Sequence, residues 1–432
     1  NRPYGPGRRY DITTTIDMTG LNMIFRHWPY PMRLTGGELV VEPDLVEVRE
    51  VTATGLRGGE GRLTGKVLLD RDNRSDYDPQ LTLVAEGLPI DELLLSSVPD
   101  AYRNWLRQQH VTGDIDRAGG RIHRGEEGRI DFQIATHVAD VSVQPYGGEL
   151  RFDDVQGTLT FERKRLLIEG IKGSRGDATV NIDGQVSWFG DGALLDIHTS
   201  VSAMPLDPPL LNILPPTSPP RARLARLFDE YKLEGRFDAD VHYRGLVGSE
   251  APEVEQDTTY DIKARPHRLA LVLRDTPIEL TDITGALRIR PGRIDLEQLA
   301  ASHDSGRFEG SGAVGFDTTS DIDLRLSATS DELGPATRAV LPDAVLRTID
   351  GLTLQGGYTI DDAHLRYTPD AADGPVLTFT GPVRMHDASA VAGVNITQFE
   401  GTLALHVEQQ RGETMPRIDI DLNAEFLRAA GR

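Results

Sequence analysis

Apolar and polar residues alternate along much of this chain with a period of two. Ala178, Val180, Ile182, Gly184, Val186 and Trp188 are apolar or small, and Thr179, Asn181, Asp183, Gln185 and Ser187 between them are polar. Leu195, Ile197 and Val201 alternate in the same way with Asp196, His198 and Ser200. So do Ile294 and Leu296 with Arg293, Asp295 and Glu297, and Ile322, Leu324 and Leu326 with Asp321, Asp323 and Arg325. Successive side chains of a strand point to opposite faces, so this period predicts half-buried strands. One face is apolar and the other charged, which predicts a sheet wetted on one side only.

The predicted strands recur as a set. Gly37, Gly157, Gly285 and Gly401 each open a similar run: Gly37-Glu38-Leu39-Val40-Val41, Gly157-Thr158-Leu159-Thr160-Phe161, Gly285-Ala286-Leu287-Arg288-Ile289 and Gly401-Thr402-Leu403-Ala404-Leu405. Val51, Ile171 and Leu299 follow at a common offset, then Gly65, Gly184 and Gly312 inside further strand-like runs. Gly113, Gly235 and Gly356 mark another strand of each set. The interval is about 120 residues, which predicts one architecture extended by repetition rather than unrelated domains. The expected copies are residues 10–129, 130–257 and 258–373 and a partial copy 374–432, forming one continuous elongated domain.

Each copy also predicts a helical stretch. Leu224, Leu227, Phe228 and Tyr231 recur at helical spacing within Arg221–Tyr231, after Pro219 and Pro220. The counterparts are Pro99–Gln109 and Asp331–Ile349, the latter with Ser330 as N-cap and a break at Pro342. The Pro-rich stretch Pro205–Pro220 and the acidic stretch Ser249–Asp257 read as loops. So little helix leaves open what covers the apolar face. The sheet folds on itself as a sandwich, or it stays open as a long apolar trough.

Composition narrows the function. Net charge is −21, from 46 basic and 67 acidic residues, which argues against nucleic acid and against tight adhesion to anionic bilayers. No cysteine is present, so disulfides, thiolate metal sites and cysteine catalysis are excluded. No run of about 18 apolar residues occurs and no signal peptide is visible at Asn1-Arg2-Pro3. The chain reads as a segment of a longer polypeptide.

The order of these marks resembles a known family. Val155-Gln156-Gly157-Thr158-Leu159-Thr160-Phe161 and Ile283-Thr284-Gly285-Ala286-Leu287-Arg288-Ile289 are typical wording, as are Leu214-Pro215 and Leu341-Pro342 and the steps Ala85 to Leu88 and Ala203 to Leu206. From Tyr10 to about Leu422 the chain resembles the AsmA-like superfamily, nearest to its YhdP- and TamB-type members. Each motif is degenerate, and the specificity lies in the recurrence. The resemblance implies a mainly β fold with short helices, a repeating β-groove: a long, twisted sheet curved into a trough with an apolar floor. It implies a periplasmic bridge that carries phospholipid between inner and outer membranes, anchored by an N-terminal helix. That helix and the membrane-contacting ends are absent from this segment, so contacts with inner- and outer-membrane components are expected outside it.

A trough of this kind lowers the cost of moving acyl chains through water, about 0.8 kcal/mol per exposed CH₂. The expected floor is Leu159, Phe161, Ile168, Val180, Ile182, Val186, Leu287, Ile289, Ile294, Leu296, Phe308, Val314, Leu324 and Leu326. For any one of them plain core packing is the competing reading.

Chemistry beyond this is not singled out. Gly310-Ser311-Gly312-Ala313-Val314-Gly315 matches the dinucleotide fingerprint formally, but its glycines lie within a strand alternation that includes Phe308 and Phe316. Asp70–Asp78 lacks the glycine and glutamate of a calcium loop, and Asp153-Asp154 and Asp361-Asp362 read as turn residues. His137, His267 and His386 recur at corresponding places without a metal-binding motif. Asn73-Arg74-Ser75 and Asn395-Ile396-Thr397 fit a glycosylation pattern common by chance. The expectation is a non-enzymatic lipid carrier with no cofactor and no metal. The rivals are a structural β-repeat without cargo, an assembly factor whose sheet edge pairs with outer-membrane client strands, and a repetitive β hydrolase.

Overall fold

In the computed structural model the chain is mainly β, 73% strand and 12% helix, and its 22 strands belong to an open, non-closed antiparallel sheet. The structure describes residues 12–25, 28–70, 77–98, 100–125, 128–189, 192–214, 216, 219–247, 259–304, 306–315, 321–341, 343–369, 376–391, 395–410 and 417–430. The chain divides into two compact units, Asn1–Thr199 with Arg244–Thr258, and Ser200–Tyr243 with Thr259–Arg432.

The first unit holds β1 (Thr14–Asp17), β2 (Asn22–Phe25), β3 (Trp28–Val41), β4 (Leu45–Gly55), β5 (Glu60–Leu69), β6 (Tyr77–Pro89), β7 (Thr112–Arg124), β8 (Ile130–Val143), β9 (Phe152–Glu162), β10 (Arg165–Arg175) and β11 (Ala178–Phe189). β1 and β2 both pair with β3, and from β3 to β11 each strand pairs with the next. β12 (Gly192–Leu206) and β13 (Glu234–Val247) contribute residues to both units. The second unit holds β14 (Thr259–Leu273), β15 (Thr276–Arg290), β16 (Arg293–His303), β17 (Gly306–Gly315), β18 (Ile322–Ser330), β19 (Gln355–Thr368), β20 (Val376–Val391), β21 (Asn395–Gln410) and β22 (Arg417–Ala430), again paired in chain order.

The marked glycines fall on every sixth strand. Gly37, Gly157, Gly285 and Gly401 lie in β3, β9, β15 and β21, and Gly65, Gly184 and Gly312 in β5, β11 and β17. Gly157 has φ +144°, and a Cβ there would lie 2.7 Å from the carbonyl oxygen of Gly170, itself at φ +60°. Gly37 and Gly285 meet Glu50 and Gln298 in the same way, and those two residues also have positive φ. Each glycine therefore opposes a β-bulge, where one extra residue bends the strand and only a residue without Cβ fits.

These bulges correct one expectation. Asp154 and Asp362 are not turn residues: they lie inside β9 and β19 at φ 53° and 48°. Asp140, Asp282 and Asp387 have the same conformation. Aspartate tolerates the left-handed region through its short polar side chain, which explains why bulges and turns look alike in sequence.

The helices come in pairs. α1 (Glu92–Ser97) and α2 (Asp100–Gln108) join β6 to β7, and α4 (Pro335–Val340) and α5 (Asp343–Gly351) join β18 to β19. Between β12 and β13 a 3-10 turn, Pro208–Ile213, precedes α3 (Pro219–Tyr231). Among its described residues the stretch Pro205–Pro220 is thus the end of β12, a 3-10 helix and the start of α3 rather than loop throughout. Asp91 caps α1 by accepting from the N–H of Leu94 at 2.9 Å. Ser330 does not cap the later helix. Its hydroxyl donates to the carbonyl of Glu332, and Gly334 is the N-cap of α4. Val98, Leu214 and Leu341 end the first helix of each pair in extended backbone, as a following proline requires. Their carbonyls accept from Arg103, Arg221 and Arg274 respectively. The acidic stretch Ser249–Asp257, most of the Asp70–Asp78 turn and Phe316 lie outside the described residues.

Candidate functional site

Cross-strand register determines which side chains share a face. In the first unit Val51 pairs with Leu63, Leu63 with Leu83, Leu83 with Gly120, Gly120 with Ile134, Ile134 with Phe161, Phe161 with Leu166, and Leu166 with Val186. This row crosses eight strands, β4 to β11, without a charged residue. In the second unit a row runs Ala264, Leu287, Leu296, Gly312, Leu324, Leu365, Phe379, Val407 and Ile418 across β14 to β22. A parallel row runs Ile262, Ile289, Ile294, Val314, Ile322, Tyr367 and Leu377.

All fourteen expected floor residues lie in strands. Leu159 pairs with Ile168, and Ile182 and Val180 follow Val186 along β11 on the same face. Leu287, Ile289, Ile294, Leu296, Val314 and Leu324 fall in the two rows of the second unit. Phe308 and Leu326 share their face, opposite Ala328 and Gly310. Val180 is buried at 7% exposure, and the other thirteen are partly exposed. Sequence reading missed Leu63, Leu83 and Ile134 in the first unit and Leu365 and Phe379 in the second. The signal was present, as in Leu81, Leu83 and Ala85 alternating with Thr82 and Val84, but Val84 and Gly119-Gly120 blur the period.

The opposite face is polar and carries ion pairs between strands, two between neighbours and one, from Lys263 to Glu297, across the intervening β15. Arg288 reaches Asp261 at 2.6 Å, Lys263 reaches Glu297 at 2.8 Å and Arg325 reaches Asp362 at 2.9 Å. Arginine hydrogen bonds hold the Asp261 and Asp295 carboxyls below their ordinary range. His137, His267 and His386 contact Thr158, Asp238 and Thr359 of adjacent strands. Among the described residues no group of three His, Asp or Glu is placed to hold a metal ion. No described helix is long and apolar enough to cross a membrane.

Two buried clusters sit where helix pairs return onto the sheet, and a third, Met18, Leu34, Val48 and Val51, lies within the strands near β1–β5. Leu94 of α1 packs with Tyr30, Ala85, Leu88 and Ala118. In the second unit Leu333 and Leu354 flank Tyr358, Val383, Met385, Ala388 and Phe399. The Tyr358 hydroxyl is 3.0 Å from that of Thr337 on α4, and burial raises its pKa. A polar depression of about 520 Å³ lies beside α4, lined by Glu332, Arg338, Asp350 and Gln355 among others. It does not include any expected floor residue. The chain matches no family model, no curated protein and no solved structure.

Proposed function

We propose that this protein is a non-enzymatic carrier of phospholipid, whose acyl chains lie along the apolar rows of the sheet. It is a repeating β-groove with a period of about 120 residues, of the AsmA-like kind. It acts in the periplasm, in a bridge between inner and outer membranes, with the anchor and the membrane partners outside this segment. It needs no cofactor. The observation that carries the reading is the unbroken run of Ala, Leu, Gly, Phe, Val and Ile in register across nine strands of the second unit, most of them partly exposed where described.

Core residues packed against a second layer would be buried. Partly exposed aliphatic rows cost free energy in water, and an acyl chain laid over them recovers about 25 cal/mol per Å² of apolar surface covered. Apolar contacts have no fixed direction, so a chain moves from strand to strand in steps of about 4.8 Å without a chemical step.

Native mass spectrometry with lipid extraction, on protein purified without detergent, tests this. More than one phospholipid per chain is expected. Ile182→Asp and Ile289→Asp should lower the load while the circular dichroism of the sheet is unchanged. A lipid-free mass and no uptake of fluorescent phospholipid would overturn the proposal.

A second reading rests on β22. Among the described residues its 14-residue strand pairs with β21 alone, and an open edge of that length accepts a further strand. Specific binding of unfolded β-barrel segments with no lipid uptake would favour it.

A further inference from the structure

The β9–β10 hairpin differs from its counterpart in the second unit. In the β15–β16 hairpin both flanking arginines close on one carboxylate: Arg290 at 2.5 Å and Arg293 at 2.7 Å from Asp295. In the β9–β10 hairpin Arg165 closes on Glu162 at 2.8 Å, which leaves Arg163 and Lys164 at the tip. Both are exposed, and neither side chain has an ion pair or hydrogen bond with another described residue.

They stand at the end of the apolar row. Phe161 pairs with Leu166 and Leu166 with Val186 immediately inside the tip. The Trp188 N–H donates to the carbonyl of Lys164 at 2.8 Å, which puts Lys164 opposite Trp188. Trp188 lies two residues beyond Val186, on the same face of β11. Phe189 beside it is 48% exposed. Apolar side chains, then an indole, then two exposed cations with no ionic partner among the described residues follow the order of an amphiphile with an anionic head: tail, interface and charge.

We infer that the β9–β10 tip is a head-group clamp, in which Arg163 and Lys164 hold the phosphate of a phospholipid whose acyl chain lies over the partly exposed Phe161 and Val186, with Leu166 buried beneath them. This inference rests on the proposed lipid function and adds a chemical preference to it. A guanidinium and an ammonium side by side suit an oxyanion with several charged oxygens. Charge complementarity selects this occupant over a neutral lipid, and the indole and floor select it over a free anion.

The test compares uptake from donor vesicles of phosphatidic acid and of diacylglycerol with the same fluorescent acyl chains. The wild-type protein should retain phosphatidic acid roughly tenfold better, a gain that salt weakens. Arg163→Ala with Lys164→Ala should abolish the preference and leave diacylglycerol uptake unchanged. Arg290→Ala with Arg293→Ala should leave it intact, because those cations are already neutralised. Equal uptake of the two lipids by the wild type, or a preference that survives in the double variant, overturns the clamp while the carrier reading stands. Uptake of neither lipid overturns both. Displacement of the head group by inorganic phosphate at matching affinity reassigns the tip to small anions and overturns the clamp.

Discussion

The two ends of single strands make the most instructive comparison. On β20, Val383, Met385 and Ala388 are buried, while Leu377 and Phe379 on the same face are partly exposed. On β6, Ala85 and Leu88 are buried against α1, while Leu81 and Leu83 are not. Composition does not separate the two ends, since both are aliphatic or aromatic. The difference is a covering element: a short helix and its connections return over one end of the strands. On these two strands the buried, more stabilising contacts lie at the helix end. Their partly exposed ends contribute less to stability.

The sharpest way to break this comparison is to truncate one residue at each end of β20. Met385→Ala, at 2% exposure, should cost about 3 kcal/mol in urea unfolding, and Phe379→Ala distinctly less. Equal costs would mean that the face is covered along its whole length. Gly312→Ala comes next. Gly312 has φ +128°, and a Cβ there would lie 2.1 Å from the carbonyl oxygen of Asp323, so a loss of about 2 kcal/mol is expected. A neutral result would show that β17 and β18 yield easily. Asp91→Ala removes the cap of the covering helix and should cost about 1 kcal/mol, with Leu94 becoming more accessible to hydrogen exchange at its amide.

The smallest effect belongs to the polar face. Asp295 is held below 3.8 chiefly by its hydrogen bond from Arg290, assisted by Arg293. A carboxyl lowered on folding contributes stability above its unfolded value and loses it as pH falls through the folded value. The melting temperature should fall as pH drops below about 4, and slightly less steeply in Asp295→Asn. An identical slope in the two proteins would remove this pair from the stability of the sheet.

Much of this was legible in the sequence, for a local reason. Strand geometry has a period of two, so Val180, Ile182 and Val186 declare their shared face without any knowledge of their neighbours. The glycines of β3, β9 and β15 recur because a bulge admits no Cβ opposite it, and such a constraint writes itself into one position. What the chain alone left undecided depends on pairing between distant residues. Asp154 reads as a turn until β8 and β10 are seen on either side of it. Arg163 and Arg290 read alike until Asp295 is found paired with one and, among the described residues, no carboxylate is paired with the other. The burial of Met385, against Phe379's partial exposure, follows from where the connection after β18 packs. Alternation determined which side chains face together, and long-range packing decided which of them remain open, because burial belongs to the partner as much as to the residue.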